Sequence, residues 1–281
     1  MAVDSPKKTV VFTDLDGTLL DASSYSFEAA IPALRLLRSK EIPLVVCSSK
    51  TRKEIEHYRK LLDNRHPFIT ENGGGIFIPA GYFRHDLTSS GMPWTKEGIY
   101  KVINLGTRYE RLREAMRELR SEGFDVTGFG DMTAEEVAEA TGLALEEAEM
   151  AKERDFDEPF LFNGSKEEIK ALEEAISKKG FSSTQGRFFH ILGDSGKGKA
   201  IAILAELYGK EFGCVITVGL GDSLNDAPML ECVDYPVLVK KPDGSHYPRI
   251  QIAKLIRTDG IGPEGWNDAV LGILRELYDN D

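Results

Sequence analysis

The chain has 281 residues, 41% of them hydrophobic, with 46 acidic against 35 basic side chains and a net charge of −11. That length exceeds the usual single-domain size, so two domains are expected, each with enough apolar material for a core. The acidic balance excludes nucleic acid and anionic membranes as general partners, so an anionic ligand has to be met by a local group of cations or a metal.

The first element is the apolar run Val10-Val11-Phe12-Thr13, which predicts a buried parallel strand ending in Asp14-Leu15-Asp16-Gly17-Thr18. Two carboxylates two residues apart at a strand end repel each other and serve no folding purpose. A divalent cation between them explains the pair, as does a division of labour in which one attacks an electrophile and the other moves a proton. A helix is expected over residues 27–40, with Phe27, Ile31, Leu34 and Leu37 on one face. The next strand, Leu44–Cys47, opens into Ser48-Ser49-Lys50, which offers hydroxyl and backbone donors to a phosphate oxygen. A helix over 51–62 and a strand at Phe68–Thr70 follow, and this alternation is that of a doubly wound, Rossmann-like α/β sheet.

The pattern then changes. A helix over 107–121 precedes a strand over 124–129. Thr133-x-x-Glu136 and Ser165-x-x-Glu168 fit capping boxes at two further helix starts. Strands over 160–162, 181–184 and 188–192 complete a mixed sheet, so an inserted α+β domain is placed at residues 84–193, with 1–83 and 194–281 forming the core. After it, Gly196-Lys197-Gly198-Lys199-Ala200 puts a lysine at the mouth of a helix running to about residue 208, a natural anion site. Gly193-x-x-x-x-Gly198-Lys199 approaches a nucleotide-binding loop, but Ala200 stands where a metal-binding hydroxyl belongs, and that reading is rejected. The strand over 215–218 ends in Gly219-Leu220-Gly221-Asp222-Ser223-Leu224-Asn225-Asp226. A helix over 227–232, a strand over 236–239 and a final helix over 265–278 close the chain.

Ligand sites of parallel sheets gather beyond the carboxyl ends of the strands. Neighbouring strands would therefore bring Asp14, Asp16, Asp222 and Asp226 around one point, an all-oxygen set suited to Mg²⁺. Cys47, Cys214 and Cys232 form no Cys-x-x-Cys pair and lie in or near apolar runs, which predicts buried thiols in a reducing compartment. No apolar run approaches the ~20 residues of a membrane span. Residues 1–8 are polar and lack a signal-peptide core, so a cytoplasmic protein is expected.

Taken in order, the four segments resemble the four motifs of the haloacid dehalogenase superfamily of phosphohydrolases. The resemblance implies Asp14 as a nucleophile that becomes an aspartyl-phosphate, and Asp16 as general acid and then base. It implies Ser48 and Lys197 as holders of the phosphoryl oxygens. Mg²⁺ would be bound by Asp14, the backbone carbonyl of Asp16 and Asp222, with Asp226 acting through metal-bound water and Asn225 orienting its loop. The superfamily's larger caps are inserted where residues 84–193 lie.

Further stretches look like one branch, the mannosyl-3-phosphoglycerate phosphatases. These are Cys47-Ser48-Ser49-Lys50-Thr51-Arg52, Glu71-Asn72-Gly73-Gly74-Gly75, Gly128-Phe129-Gly130-Asp131-Met132, Ala151-x-x-Arg154-x-Phe156-x-Glu158-Pro159, Gly186-Arg187-Phe188-Phe189-His190 and Gly262-Pro263-x-Gly265-Trp266-Asn267. The implied partner is a small phosphorylated glycoside carrying a phosphate, a carboxylate and sugar hydroxyls. Lys50, Arg154 and Arg187 are expected to meet the carboxylate. Asn72, Gly73, Gly74, Glu158 and His190 are expected around the sugar hydroxyls, with Ser49 and Asn225 also expected to contact the substrate. Blander readings compete: Arg154 and Glu158, four apart, as a surface ion pair, and Asn72-Gly73 as a hairpin turn.

Overall fold

A computed structural model describes residues 8–85 and 93–278. The expectation for residues 1–8 therefore lies, but for Lys8, outside the described residues. In chain order the elements are β1 (Lys8–Thr13), α1 (Ile31–Ser39), β2 (Leu44–Cys47), α2 (Arg52–Leu61), β3 (Phe68–Thr70), β4 (Gly75–Pro79), β5 (Thr95–Glu97) and β6 (Tyr100–Asn104). Then come α3 (Tyr109–Ser121), β7 (Thr127–Gly128), α4 (Ala134–Thr141), α5 (Leu145–Lys152), β8 (Asp157–Leu161), α6 (Lys166–Lys178), β9 (Ser182–Gln185) and β10 (Phe189–Leu192). The chain ends with α7 (Lys197–Phe212), β11 (Val215–Gly221), α8 (Ala227–Leu230), β12 (Tyr235–Lys240), β13 (Ile256–Ile261) and α9 (Gly262–Tyr278).

The larger sheet runs β13-β12-β11-β1-β2-β3-β4-β6-β5, parallel from β13 to β3 and antiparallel beyond. Successive residues of a strand face opposite ways. Val11, Val46 and Phe68 thus pack with Ile55 of α2, Leu37 of α1 and Trp266 of α9. Val10, Phe12, Val45 and Ile69 pack on the other face with Ile201 and Leu204 of α7 and Met229 of α8. This is the doubly wound α/β arrangement. Trp266, fully buried, donates from Nε1 to Thr13 Oγ1 at 2.9 Å, and Thr13 Oγ1 donates to the carbonyl of Asp14 at 2.7 Å. Helix α9 thereby fixes the backbone on which the first acid sits.

The second sheet, β7-β8-β10-β9, is antiparallel. Its Phe160, Phe189 and Ile191 pack on Leu112 and Met116 of α3 and Leu172 of α6. The boundary expected at residue 84 moves: β5 and β6 extend the larger sheet, and Tyr100 and Val102 enter its core. On sheet membership the inserted unit begins after Asn104. The strand expected over 124–129 shrinks to Thr127–Gly128, because the Asp131 carboxylate captures the N–H of Gly128 at 3.1 Å and turns the chain. Of the three cysteines only Cys47, in the central strand β2, is buried; Cys214 and Cys232 lie in connections outside the strands and are exposed.

Thr51 joins the two units. Its Oγ1 accepts from the N–H of Glu54 at 3.3 Å in a capping box at the start of α2 and donates to the Met150 carbonyl of α5 at 2.9 Å. Thr51→Ala should therefore cost about 1–2 kcal/mol. Urea unfolding would show it as a lower midpoint with an unchanged slope.

Candidate active site

Parallel pairing of β1 with both β2 and β11 sets three strand ends side by side, and each opens into polar residues: Asp14, Ser48 and Asp222. Lys197, the first residue of α7, has its side chain wholly buried between two acids. Its Nζ is 2.7 Å from Asp14 Oδ1 and 2.6 Å from Asp226 Oδ1. Asp226 Oδ2 accepts from the N–H groups of Asp222 and Ser223 at 3.0 and 3.1 Å, closing the loop after β11. Asp222 Oδ1 accepts from Thr18 Oγ1 at 3.3 Å and Ser223 Oγ at 3.1 Å. Gly17, at φ +75°, adopts the left-handed conformation that favours glycine, and a Cβ there would stand 3.1 Å from Asp222 Oδ2.

One oxygen from each of Asp14, Asp222 and Asp226 lies within 4.8 Å of the others. Burial raises Asp14 well above the ordinary carboxylate range, against the pull of Lys197 and with repulsion from Asp226, Asp222 and Asp16. Burial, then Asp226, likewise raises Asp222. Burial disfavours the charge on Lys197, but Asp14 and Asp226 outweigh it and hold this lysine above its ordinary range. Three buried acids against one lysine leave negative charge uncompensated, and an all-oxygen donor set of this kind fits Mg²⁺. The Asp16 side chain stands apart, 41% exposed, with Oδ2 3.1 Å from Lys50 Nζ.

Above these groups lies a cavity of about 330 Å³. Asp14, Asp16, Ser49, Lys50, Asp222, Asn225, Lys241 and Tyr247 line it from the core, and Phe129, Leu143, Arg154, Arg187 and His190 from the insertion. Ser48 is buried behind this wall, its Oγ accepting from the N–H of Lys50 at 3.3 Å. Asn225 donates to Asn72 Oδ1 at 3.1 Å and keeps a buried Oδ1 without a partner.

Other expected residues turn inward. Glu71-Asn72-Gly73 is indeed the hairpin turn between β3 and β4, with φ of 47°, 54° and 94°. Two successive non-glycine residues in the left-handed region cost of order 1–3 kcal/mol each, so the surroundings must enforce the turn. Glu71 accepts from the N–H groups of Asp155, Phe156 and Asp157 at 3.0, 2.7 and 2.9 Å. Asn72 donates to Asp157 Oδ2 at 2.7 Å. Gly73 lies against the backbone of Gly196 and Lys197, and Gly74 against Phe156. None of Asn72, Gly73 and Gly74 lines the cavity.

Arg154 touches the cavity, but its donors are committed to the protein. Nε reaches the Asp157 carbonyl at 2.9 Å, Nη1 that of Ala151 at 3.2 Å, and Nη2 that of Ser49 at 2.5 Å and Asp157 Oδ1 at 2.9 Å. The surface pair with Glu158 does not exist either. In the register of β8 against β10, Glu158 stands opposite Ile191 and Asp157 opposite Leu192, so Glu158 faces the helices while Asp157 and His190 share the other face. Glu158 accordingly takes bonds from Arg113 Nη1, Tyr109 OH and the N–H of Gly130 at 2.6, 2.7 and 3.0 Å.

Asp157 was missed by sequence reasoning. It binds His190 Nδ1 at 2.9 Å, and His190 and Arg154 hold its carboxyl below the usual range despite burial. Starting β8 at Asp157 rather than Phe160, and applying the period of two, would have found it. Burial pushes Glu71 up to about 8 in spite of Arg154.

A model of the haloacid dehalogenase-like hydrolases matches residues 11–245. A glucosyl-3-phosphoglycerate/mannosyl-3-phosphoglycerate phosphatase of Methanococcoides burtonii is 47% identical over 269 residues, 95% of this chain and 97% of that protein. A mannosyl-3-phosphoglycerate phosphatase of Pyrococcus furiosus is 39% identical, over 82% of this chain and 90% of that one. Among solved structures, a Thermoplasma acidophilum protein superposes with a TM-score of 0.67 at 15% identity, covering 96% of this chain and 98% of its own. A Bacteroides thetaiotaomicron phosphatase of the haloalkanoate enzyme superfamily does so at 0.65 and 17%, covering 99% and 97%. The chain belongs to the haloacid dehalogenase-like hydrolases. Within that family it is a phosphoric monoester hydrolase.

Arg154→Ala should lower unfolding free energy by about 3–5 kcal/mol, because it takes the guanidinium away from the buried charge of Asp157. Activity, measured at a temperature where the variant is folded, should fall equally for esters with and without a carboxylate.

Proposed function

We propose that this hydrolase removes the phosphate of a glycosyl-3-phosphoglycerate, mannosyl or glucosyl, through an aspartyl-phosphate on Asp14. The observation that carries the mechanism is the buried contact of Asp14 Oδ1 with Lys197 Nζ at the floor of the cavity. The substrate class is supported by the relatives' names and by a cavity that offers acids below and cations and polar groups around it.

Asp14 attacks phosphorus as the glycerate oxygen leaves. Asp16, steadied by Lys50, gives that oxygen a proton. Asp16 then takes a proton from water, which attacks the aspartyl-phosphate, frees inorganic phosphate and restores Asp14. Phosphoryl transfer asks mainly for positioning and charge neutralisation. Lys197 stands beside Asp14 to serve both, with the Ser48–Ser49 segment at the neighbouring strand end. Mg²⁺, held by Asp14, the Asp16 carbonyl and Asp222 with Asp226 behind, would supply the remaining positive charge against the phosphoryl oxygens.

The deciding experiment is phosphate release across a panel of glycosyl-3-phosphoglycerates, sucrose phosphate and hexose phosphates. A clear preference in kcat/KM for the first group is expected, and preference for a hexose phosphate would overturn the substrate. Chelation should abolish turnover and added Mg²⁺ restore it. Asp14→Asn should remove essentially all turnover while far-ultraviolet circular dichroism stays native, since an amide cannot attack phosphorus.

A further inference from the structure

Four lysine and arginine side chains line the cavity: Lys50, Arg154, Arg187 and Lys241. Three are already partnered by the protein. Lys50 pairs with Asp16 and Glu54 at 3.1 and 3.2 Å, Arg154 with Asp157 at 2.9 Å. Arg187 donates to the carbonyls of Thr141 and Ala140 at 2.6 and 3.2 Å. Lys241 is different. Among the described residues its ammonium has no ion pair; it lies 5.6 Å from the centre of the Tyr247 ring, which lines the same cavity.

Its place in the fold is informative. Lys241 follows β12, and β12 pairs with β11, the strand that delivers Asp222. It therefore stands on the core wall, beside the metal-binding acids rather than under the insertion. Asp222 feels this proximity: Lys241 is among the charges opposing the rise caused by burial and Asp226. In a 3-phosphoglycerate the carboxylate and the phosphate sit at opposite ends of a single three-carbon chain. With phosphorus at Asp14, so short a chain can carry the second anion along the core wall and leave the glycosyl group room toward the insertion.

We propose that Lys241, steadied on the Tyr247 ring, receives the glycerate carboxylate, so that the core and not the insertion reads this group. The assignment rests on the phosphoglycerate reading above. It also replaces Arg154, whose donors are committed elsewhere, in that role.

The test uses two inhibitors of p-nitrophenyl phosphate hydrolysis. 3-Phosphoglycerate and glycerol 3-phosphate differ only in a carboxylate against a hydroxymethyl group. Wild-type enzyme should bind the former about tenfold more tightly, as expected of an unpartnered, half-buried cation meeting an anion. Lys241→Met should erase that ratio by weakening 3-phosphoglycerate alone, and Lys241→Arg should keep most of it. Equal weakening of both inhibitors would move Lys241 onto the phosphate and overturn the proposal. An unchanged ratio in Lys241→Met, or no ratio in the wild type, would overturn it too. The substrate reading fails separately, when wild-type enzyme prefers hexose phosphates to glycosyl-3-phosphoglycerates in turnover.

Discussion

A lysine ammonium held between two buried carboxylates is the contact on which the rest of the site depends. Taking an ammonium and two carboxylates out of water costs several kcal/mol per ion, and only close, well-directed pairing offsets it. Lys197 meets that condition through Asp14 and Asp226, which come from β1 and from the turn after β11. The lysine itself comes from the start of α7, and that start is seated by Gly73, whose missing side chain lets the hairpin turn rest on the Gly196–Lys197 backbone. Four parts of the chain distant in sequence are thus locked to one charge. The surplus of negative charge that remains makes the three acids a donor set suited to a divalent cation.

A second buried network, Glu71 with Arg154 and Asp157, joins the larger sheet to the insertion. Here the charges satisfy one another and the backbone, so the network works as a joint rather than as a receptor. It also carries His190 into the cavity wall by way of Asp157, and meets the acid-bearing loop by way of Asn72 and Asn225. The wall facing the substrate is therefore tied, through side-chain hydrogen bonds alone, to the loop that holds Asp222. Cation count is a poor guide to anion binding in such a cavity. What matters is which cation still lacks a partner.

The candidate site was legible before any coordinates because its patterns are local. Asp14-x-Asp16 at the end of one apolar run, Asp222 and Asp226 after another, and Lys197 at a helix mouth are each a short pattern with a physical reason. Strand-end geometry in a parallel sheet then requires them to meet. The alternation of strand and helix that implies such a sheet is equally local, since it rests on the periods of two and 3.6 in the apolar residues. Three judgements depended instead on which strand lies beside which. Tyr100 and Val102 join the larger sheet only because β6 pairs with β4. Glu158 and Asp157 exchange roles only because β8 runs antiparallel to β10 in one register. Arg154 and Lys241 look alike along the chain, each a cation near an acid. Only long-range packing decides that Arg154 is enclosed by Ser49, Ala151 and Asp157 while Lys241 faces open space beside Asp222. Sequence alone marked the candidate reactive groups, because residue type and strand-end position are both local properties. Tertiary structure alone decided which groups are left free to recognise, because a charge is free only when no distant part of the chain has neutralised it.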